Sequence, residues 1–396
     1  MVADIHHADA GAPPHKSVTQ VLALCCQAMA VTVGITTLVV IHGCSLATSG
    51  PRLYTGHNDP LANTMRNSPA AASLLSDIQL NAVRARSNGW GVYLVLHAWL
   101  VMLGAATLFT LRPNVLTYGL AVVLIGSRQL GLLILMHDGA HGGLCRTPWL
   151  NRVLAQFACA WPTLADTHVY RNYHLKHHIR TQQPDDPDII LTSHFPITRA
   201  SLRRKLWRDL LGRTGLAQRK AQFVQAWGRA DQSAALRVAH YWRMLGPQTA
   251  VNFGLWAVAY GAGHGWLYIT LWLVPLLTWQ QLVLRVRNIA EHAVVRAPED
   301  CFGNARTTLT NVLERILVAP YWVNLHLEHH LVMWVPCYRL ALLRRYLCAN
   351  GYGDRIETAP GYLAVLHKVT LERGDDNRSQ ERKRATGTFA QGFETA

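Results

Sequence analysis

Apolar blocks about twenty residues long, separated by polar segments, dominate the pattern of this 396-residue chain. The blocks 90–111 and 115–136 are joined by only three residues, and the blocks 249–263 and 265–284 by a glycine-rich break. An α-helix of about 20 residues spans the hydrocarbon core of a bilayer. Because such short joints allow only antiparallel neighbours, the pattern predicts an all-α integral membrane protein with two transmembrane hairpins, about four spans.

The segments outside these blocks have a different character. The segment 18–41 is apolar but contains Thr and Gln, and three interpretations stay open: one additional N-terminal span, a helix packed at the surface, or an export signal. Residues 1–72 as a whole are expected to form a variable extension, 73–350 the membrane domain and 351–396 a polar tail. Within the domain, apolar residues at helical spacing over 73–86 predict an amphipathic helix at the membrane interface.

Charge indicates which side of the membrane each segment occupies. The formal net charge is +15, and the connection 199–243 between the hairpins contains eleven Lys and Arg residues against two Asp. Positive connections tend to stay cytoplasmic. Each hairpin returns the chain to its starting side, so 137–248 and everything from 285 onward should form a helical cap on the cytoplasmic face, which in a bacterium is that of the inner membrane. Positive charge beside membrane spans also argues against a nucleic-acid partner.

Nine of the 20 histidines fall in clusters that this topology places on that one face. Two clusters have the form H-x-x-H-H, one has the form H-x-x-x-H, and one histidine follows the last apolar block. They are His137, His141, His174, His177, His178, His292, His326, His329 and His330. Positions i, i+3 and i+4 share a helix face, so each cluster can converge on one ion.

Neutral imidazole is a preferred ligand of iron, copper and zinc. Nine imidazoles exceed the six ligands of an octahedral ion, so two metals are expected. The chain has no H-E-x-x-H and no cysteine ligand pattern, which argues against a zinc protease, structural zinc and an iron–sulfur protein. Imidazoles with little negative charge favour a pair of redox-active iron ions that activates O₂ beside an apolar substrate. A non-catalytic metal-binding membrane protein would instead place its ligands in the middle of a span.

The three histidine boxes, separated by paired spans, resemble those of the membrane fatty acid desaturase superfamily over about 90–345. The Pro-Asp-Asp-Pro-Asp run at 184–188 and the segment Asn-Leu-His-Leu-Glu-His-His at 324–330 are also similar to those of family members. The resemblance implies that the nine histidines hold two iron ions. It further implies that Asn288 contacts one ion through a water molecule, as in acyl-CoA desaturases.

Four carboxylates lie within or near the boxes, and each is a candidate for orienting a metal-bound imidazole. They are Asp138, Asp188, Glu291 and Glu328. The alternative for each is a helix cap or a solvated ion pair.

The activity that the resemblance implies is O₂-dependent oxidation of an unactivated C–H bond, with fatty acyl desaturation as the first hypothesis. A hydroxylase or ketolase acting on a lipid, carotenoid, alkane or small metabolite is the alternative. Because the chain has no His-Pro-Gly-Gly haem signature, electrons are expected from a separate ferredoxin or cytochrome. The basic segment 199–243 is interpreted as a membrane-facing surface or, alternatively, as a docking patch for an acidic donor of this kind.

Overall fold

A computed structural model describes residues 69–371. The predicted helix over 18–41, the rest of 1–68 and the end of the predicted tail, 372–396, lie outside the described residues. Within them the chain is mostly helical, as its apolar pattern predicts, and only short two-residue strands occur in this part of the chain.

The helices and strands follow one another in this order. The α-helices are Pro69–Leu74, Asp77–Arg84, Asn88–Leu111, Val115–Ala140, Pro148–Val153, Thr167–Arg180, Ile189–Thr192, Arg199–Leu210, Arg213–Ala226, Ala234–Gly261, Val274–Leu277, Trp279–His292, Val312–Leu317, His326–Leu331, Leu340–Ala349 and Tyr362–Lys368. Leu154–Ala160 and Tyr268–Leu273 are π-helical, whereas Trp161–Thr163, Pro320–Trp322, Cys337–Arg339 and Gly353–Arg355 are 3₁₀-helical. Ile197–Thr198 pairs in parallel with Thr370–Leu371, and Thr307–Thr308 with Thr358–Ala359.

Three helical stretches in the described residues are long and apolar enough to cross a membrane: Asn88–Leu111, Val115–Ala140 and Tyr268–His292. We call them the first, second and third spans. The remaining predicted block, 249–263, begins within Ala234–Gly261 and extends two residues past its end, and this helix is not one of the three. This helix begins in the basic connection and contains Pro247. Four spans therefore stay a prediction.

The second span lies at the centre of the bundle, and its polar residues pair with backbone carbonyls of its neighbours. Ser127 donates to the carbonyl of Leu317 at 2.8 Å, and the amide of Gln129 donates to that of Trp272, also at 2.8 Å. The guanidinium of Arg128 donates to the carbonyl of Ile316, which precedes Leu317 in the same segment. Because hydrocarbon offers no hydrogen-bond partners, pairing of this kind is what permits three consecutive polar residues in a spanning helix.

The predicted interfacial helix over 73–86 is divided in the structure into Pro69–Leu74 and Asp77–Arg84. Ser76 separates them because its side chain accepts the backbone N–H of Gln79 in a capping box, which begins a new helix. Part of the predicted tail is also structured. The helix Tyr362–Lys368 buries Tyr362 and Val365 against the core.

Gly91 in the first span lies against the backbone of the segment that follows His141. A Cβ at Gly91 would lie 2.3 Å from the carbonyl oxygen of Leu144 and 2.3 Å from Sγ of Cys145. Gly91→Ala should therefore lower the free energy of unfolding by about 1–3 kcal/mol, because backbone must shift to admit the methyl group. The thermal midpoint of the detergent-solubilised protein measures this loss.

Gly104 provides the matched control in the same helix, because a Cβ there has no neighbour within 4 Å. Gly104→Ala should leave the midpoint unchanged or raise it slightly, since alanine favours the helix by about 1 kcal/mol. Equal midpoints for the two variants would contradict the packing at Gly91.

Candidate metal centre

The structure brings all nine predicted histidines together, in two groups. Each residue offers one ring nitrogen, and within a group these atoms all lie within 4.8 Å of one another. The five-imidazole group is His137, His141, His174, His178 and His329; the four-imidazole group is His177, His292, His326 and His330. The distances thus agree with two ions sharing the set, and metal binding itself stays a prediction.

Each of the two H-x-x-H-H boxes is divided between the two groups. The expectation that all three histidines of a box converge on one ion is therefore wrong for both boxes. His174 and His178 stay together, but His177 joins the other group, and His329 likewise separates from His326. The reason is the helical rotation of about 100° per residue. Positions i and i+4 differ by about 40° and face one ion, whereas the middle histidine is turned by about 100° from the last.

Four helix ends deliver the rings. His137 lies in the last turn of the second span, and His292 is the last residue of Trp279–His292. The helix Thr167–Arg180 carries the second box and begins at Asp166, whose carboxylate accepts the first backbone N–H groups. The short helix His326–Leu331 carries the third box.

In the five-imidazole group, Nε2 atoms face each other. Nε2 of His178 lies 2.9 Å from Nε2 of His174 and 3.0 Å from Nε2 of His329. The Nε2 atoms of His137 and His141 are buried without a hydrogen-bond partner among the described residues. Three of the five rings thus direct Nε2 at one another, and in the other two Nε2 is buried without a partner within 69–371.

The four-imidazole group has the same arrangement. Nε2 of His326 lies 2.8 Å from Nε2 of His292 and 3.0 Å from Nε2 of His330. Two ligands at a right angle, each about 2.1 Å from an ion, are separated by about 3.0 Å. The donor set and its spacing therefore fit metal ions of the imidazole-binding class.

Burial favours the neutral form of several rings outside the spans. It lowers the pKa of His141 to about 3, with a smaller contribution from the charge of Arg171. Burial, followed by the charges of neighbouring rings, also lowers the pKa of His174, His178, His326 and His329 well below the ordinary value. At neutral pH these imidazoles offer lone pairs rather than protons, as metal binding requires.

The candidate carboxylates differ in what they contact. Glu291 lies 3.5 Å from Nδ1 of His326 and pairs with Arg287 at 2.6 Å. Asp188 lies 3.6 Å from Nδ1 of His177 and accepts the hydroxyl of Tyr173. Both are therefore close to a ring of the four-imidazole group.

The other two candidates have no imidazole contact among the described residues. Glu328 accepts from Thr307 and from Arg344, the latter at 2.5 Å, and Asp138 accepts the backbone N–H of Cys337 at 3.2 Å. Asn288 lies one turn before His292 on the same helix, so its predicted water-mediated contact would fall in the four-imidazole group. That contact stays a prediction.

Two residues near the site were not singled out from the sequence. Asp186 lies 2.8 Å from Nδ1 of His177, closer than Asp188, and the Pro-Asp-Asp-Pro-Asp run was the available signal. Arg306 is fully buried and donates to the carbonyls of Ala290 and Ala293 at 3.0 Å each. It thereby holds the end of the helix that carries His292, and its position in a loop gave no signal.

Acid should destabilise the metal-free protein. The pKa of an unfolded histidine is about 6.5, whereas that of folded His141 is about 3, so below pH 6.5 the unfolded chain binds more protons. Each such ring then lowers the free energy of unfolding by up to about 1.4 kcal/mol per pH unit. We expect the thermal midpoint of chelator-treated protein to fall clearly between pH 7.5 and 5.5.

The control for this prediction is His264→Gln, outside both groups, which should show the same fall as the unchanged protein. A midpoint independent of pH over that interval would contradict the burial of neutral imidazoles.

Comparison with known proteins agrees with this geometry. The family described as fatty acid desaturase matches residues 113–356, a stretch that contains all nine histidines. The dihydrorhizobitoxine desaturase of Bradyrhizobium elkanii is 28% identical over 251 residues, which cover 60% of this chain and 70% of that protein. Because the family match extends over more than half of the chain, the family assignment is secure: this protein belongs to the fatty acid desaturase family, whose members are membrane oxidoreductases.

Proposed function

We propose that this chain is a membrane di-iron fatty acyl desaturase, which introduces a C=C bond into an acyl chain with O₂ and an external electron donor. One observation carries the proposal: two buried groups of imidazoles converge at the ends of apolar helices in a desaturase-family chain. Protein side chains alone cannot oxidise an unactivated C–H bond, so a metal pair is the expected source of oxidising power.

Bound iron would supply the activation of O₂ toward the C–H bond. In the balanced reaction, two neighbouring carbons each lose one hydrogen and form the double bond. Those two hydrogens, with two electrons and two protons from the donor, reduce O₂ to two molecules of water.

The protein's own contribution is to bind the ions, orient their ligands and shield the centre from water. The nine imidazoles would hold the ions through Nε2, and the short Nε2–Nε2 distances within each group fix their directions. Seven of the nine rings are buried, which limits the access of water to the reacting centre. Apolar side chains of the spans offer an environment that suits a hydrocarbon chain.

The direction of the helices supports placing the whole site at one membrane face. The second span carries His137 in its last turn, and the third span ends at His292, so both spans run toward the site. The basic connection gives that face its cytoplasmic orientation in our proposal.

The basic connection forms the helices Arg199–Leu210 and Arg213–Ala226, in which exposed cationic and apolar residues are mixed. Trp207, Leu211 and Phe223 are all at least half exposed. This mixture favours contact with anionic lipid headgroups, because lipid can cover both the charges and the apolar side chains. Docking of an acidic ferredoxin or cytochrome on the same helices is the alternative.

A second candidate concerns the substrate. The similar protein from Bradyrhizobium elkanii is named for the desaturation of dihydrorhizobitoxine, so a small metabolite is the runner-up to an acyl chain. Hydroxylation or ketone formation by the same centre is a further alternative.

Product analysis distinguishes these candidates. We expect membranes containing the protein, supplied with acyl substrates, reduced donor and O₂, to yield products that have lost two hydrogen atoms, as detected by mass spectrometry. A gain of one oxygen atom would instead identify a hydroxylase, and unchanged lipids with an active donor would favour the small metabolite.

His177→Ala should abolish this activity and reduce the iron content below that of the unchanged protein, which is expected to hold about two ions per chain. His264→Gln, outside both groups, is the matched control and should retain both. Unaltered iron content in His177→Ala would contradict the assigned ligand set.

A further inference from the structure

The two imidazole groups differ in the negative charge placed against their rings. Among the described residues, a carboxylate oxygen lies within 4.0 Å of a ring nitrogen only at His177 and His326, and both belong to the four-imidazole group. No ring of the five-imidazole group has such a contact within 69–371. The group with fewer imidazoles is therefore the one that receives carboxylates.

The shortest of these contacts is made by Asp186. Its Oδ1 lies 2.8 Å from Nδ1 of His177, and both side chains are at most 3% exposed. The carboxylate also accepts the backbone N–H groups of Gln182 and Asp188, each at 2.9 Å. An ionised carboxylate only accepts, so Nδ1 of His177 must donate, and Nε2 is left with the lone pair.

Asp186 is held in place by the turn that follows the helix Thr167–Arg180. The side chain of Gln182, at a left-handed φ of 64°, donates to the carbonyl of His292 at 2.9 Å. The hydroxyl of Thr181 donates to the carbonyl of His177 at 2.7 Å and lies 3.4 Å from Nδ1 of His330. One turn thus contacts three of the four residues of this group.

We propose that Asp186 is a positioning residue for the four-imidazole group, on the basis of the proposed metal centre. It fixes His177 with Nε2 toward the ion and supplies negative charge where the five-imidazole group has an additional ring. The two ions are consequently bound inequivalently, and loss of the carboxylate weakens only one of them. Removal of a carboxylate of this kind lowers metal affinity by about 10–100-fold.

The test is a Co²⁺ and Fe²⁺ titration of full-length Asp186→Asn in detergent, with a competing chelator. We expect one ion to bind as in the unchanged protein and the other about 10–100-fold more weakly. With ⁵⁷Fe, Mössbauer spectra should show one of two iron environments altered. Unfolding of the variant would alter both iron environments, so it could not explain a change in only one of them.

Asp185→Asn is the matched control, because the Asp185 side chain is 48% exposed and its ion pair within 69–371 is with Arg180 at the surface. It should bind both ions normally. Asp186→Glu retains the carboxylate and should bind the ion of the four-imidazole group more tightly than Asp186→Asn does. If Asp186→Asn does not fold, Asp186→Ser, which is smaller and also lacks the carboxylate, takes its place with the same expectation.

Normal binding of both ions by the Asn variant, equal weakening of both ions, or no recovery in the Glu variant would each overturn the proposal. An unchanged protein that binds no ion would contradict the proposed function itself, and this inference with it. Two ions in the unchanged protein together with two normal ions in the Asn variant would overturn this inference alone.

Discussion

Buried imidazole nitrogens that face one another are the constraint on which the structure depends. Two neutral rings with their lone pairs directed at each other gain nothing, and a buried acceptor without a partner costs about 1–3 kcal/mol. Here Nε2 atoms of both groups lie 2.8–3.0 Å apart, and rings that bind an ion through Nε2 must carry the lone pair there. A cation shared within each group removes the cost, because every lone pair then has the same electrophile. Metal binding should therefore contribute directly to the stability of the helices that carry these rings.

The surrounding fold serves to hold helix ends against this centre. The second span approaches the π-helical segment closely at Gly139, where a Cβ would lie 2.3 Å from Cβ of Ala155. That contact packs the end carrying His137 against Leu154–Ala160. At the third span, Arg306 binds the terminal carbonyls that a helix otherwise leaves without partners, and it pairs with Glu357. A buried guanidinium is stable here because each of its three nitrogens donates to at least one acceptor.

Much of the site could be predicted from the sequence, because histidine spacing on a helix is a local property. The i, i+4 pairs His174–His178 and His326–His330 stay together as the spacing predicts. The division of each box could not be predicted, since it depends on how two helices are rotated relative to one another. The role of Asp186 could not be predicted for a similar reason, because only the folded turn shows which aspartate of the run 184–188 contacts the ring of His177. The break at Ser76 was missed because apolar periodicity outweighed a recognisable capping signal.

The division of the boxes has a consequence for the two groups as a unit. The helix Thr167–Arg180 provides rings to both, and so does His326–Leu331. Rotation of either helix would displace ligands of one group while disturbing the other, so neither group can open independently. The distance between the groups is set by the fixed angle between neighbouring positions on a helix rather than by flexible loops. In the proposed centre, two ions would have to be held at a constant separation, and dividing each box between the groups would achieve this with ordinary helix geometry.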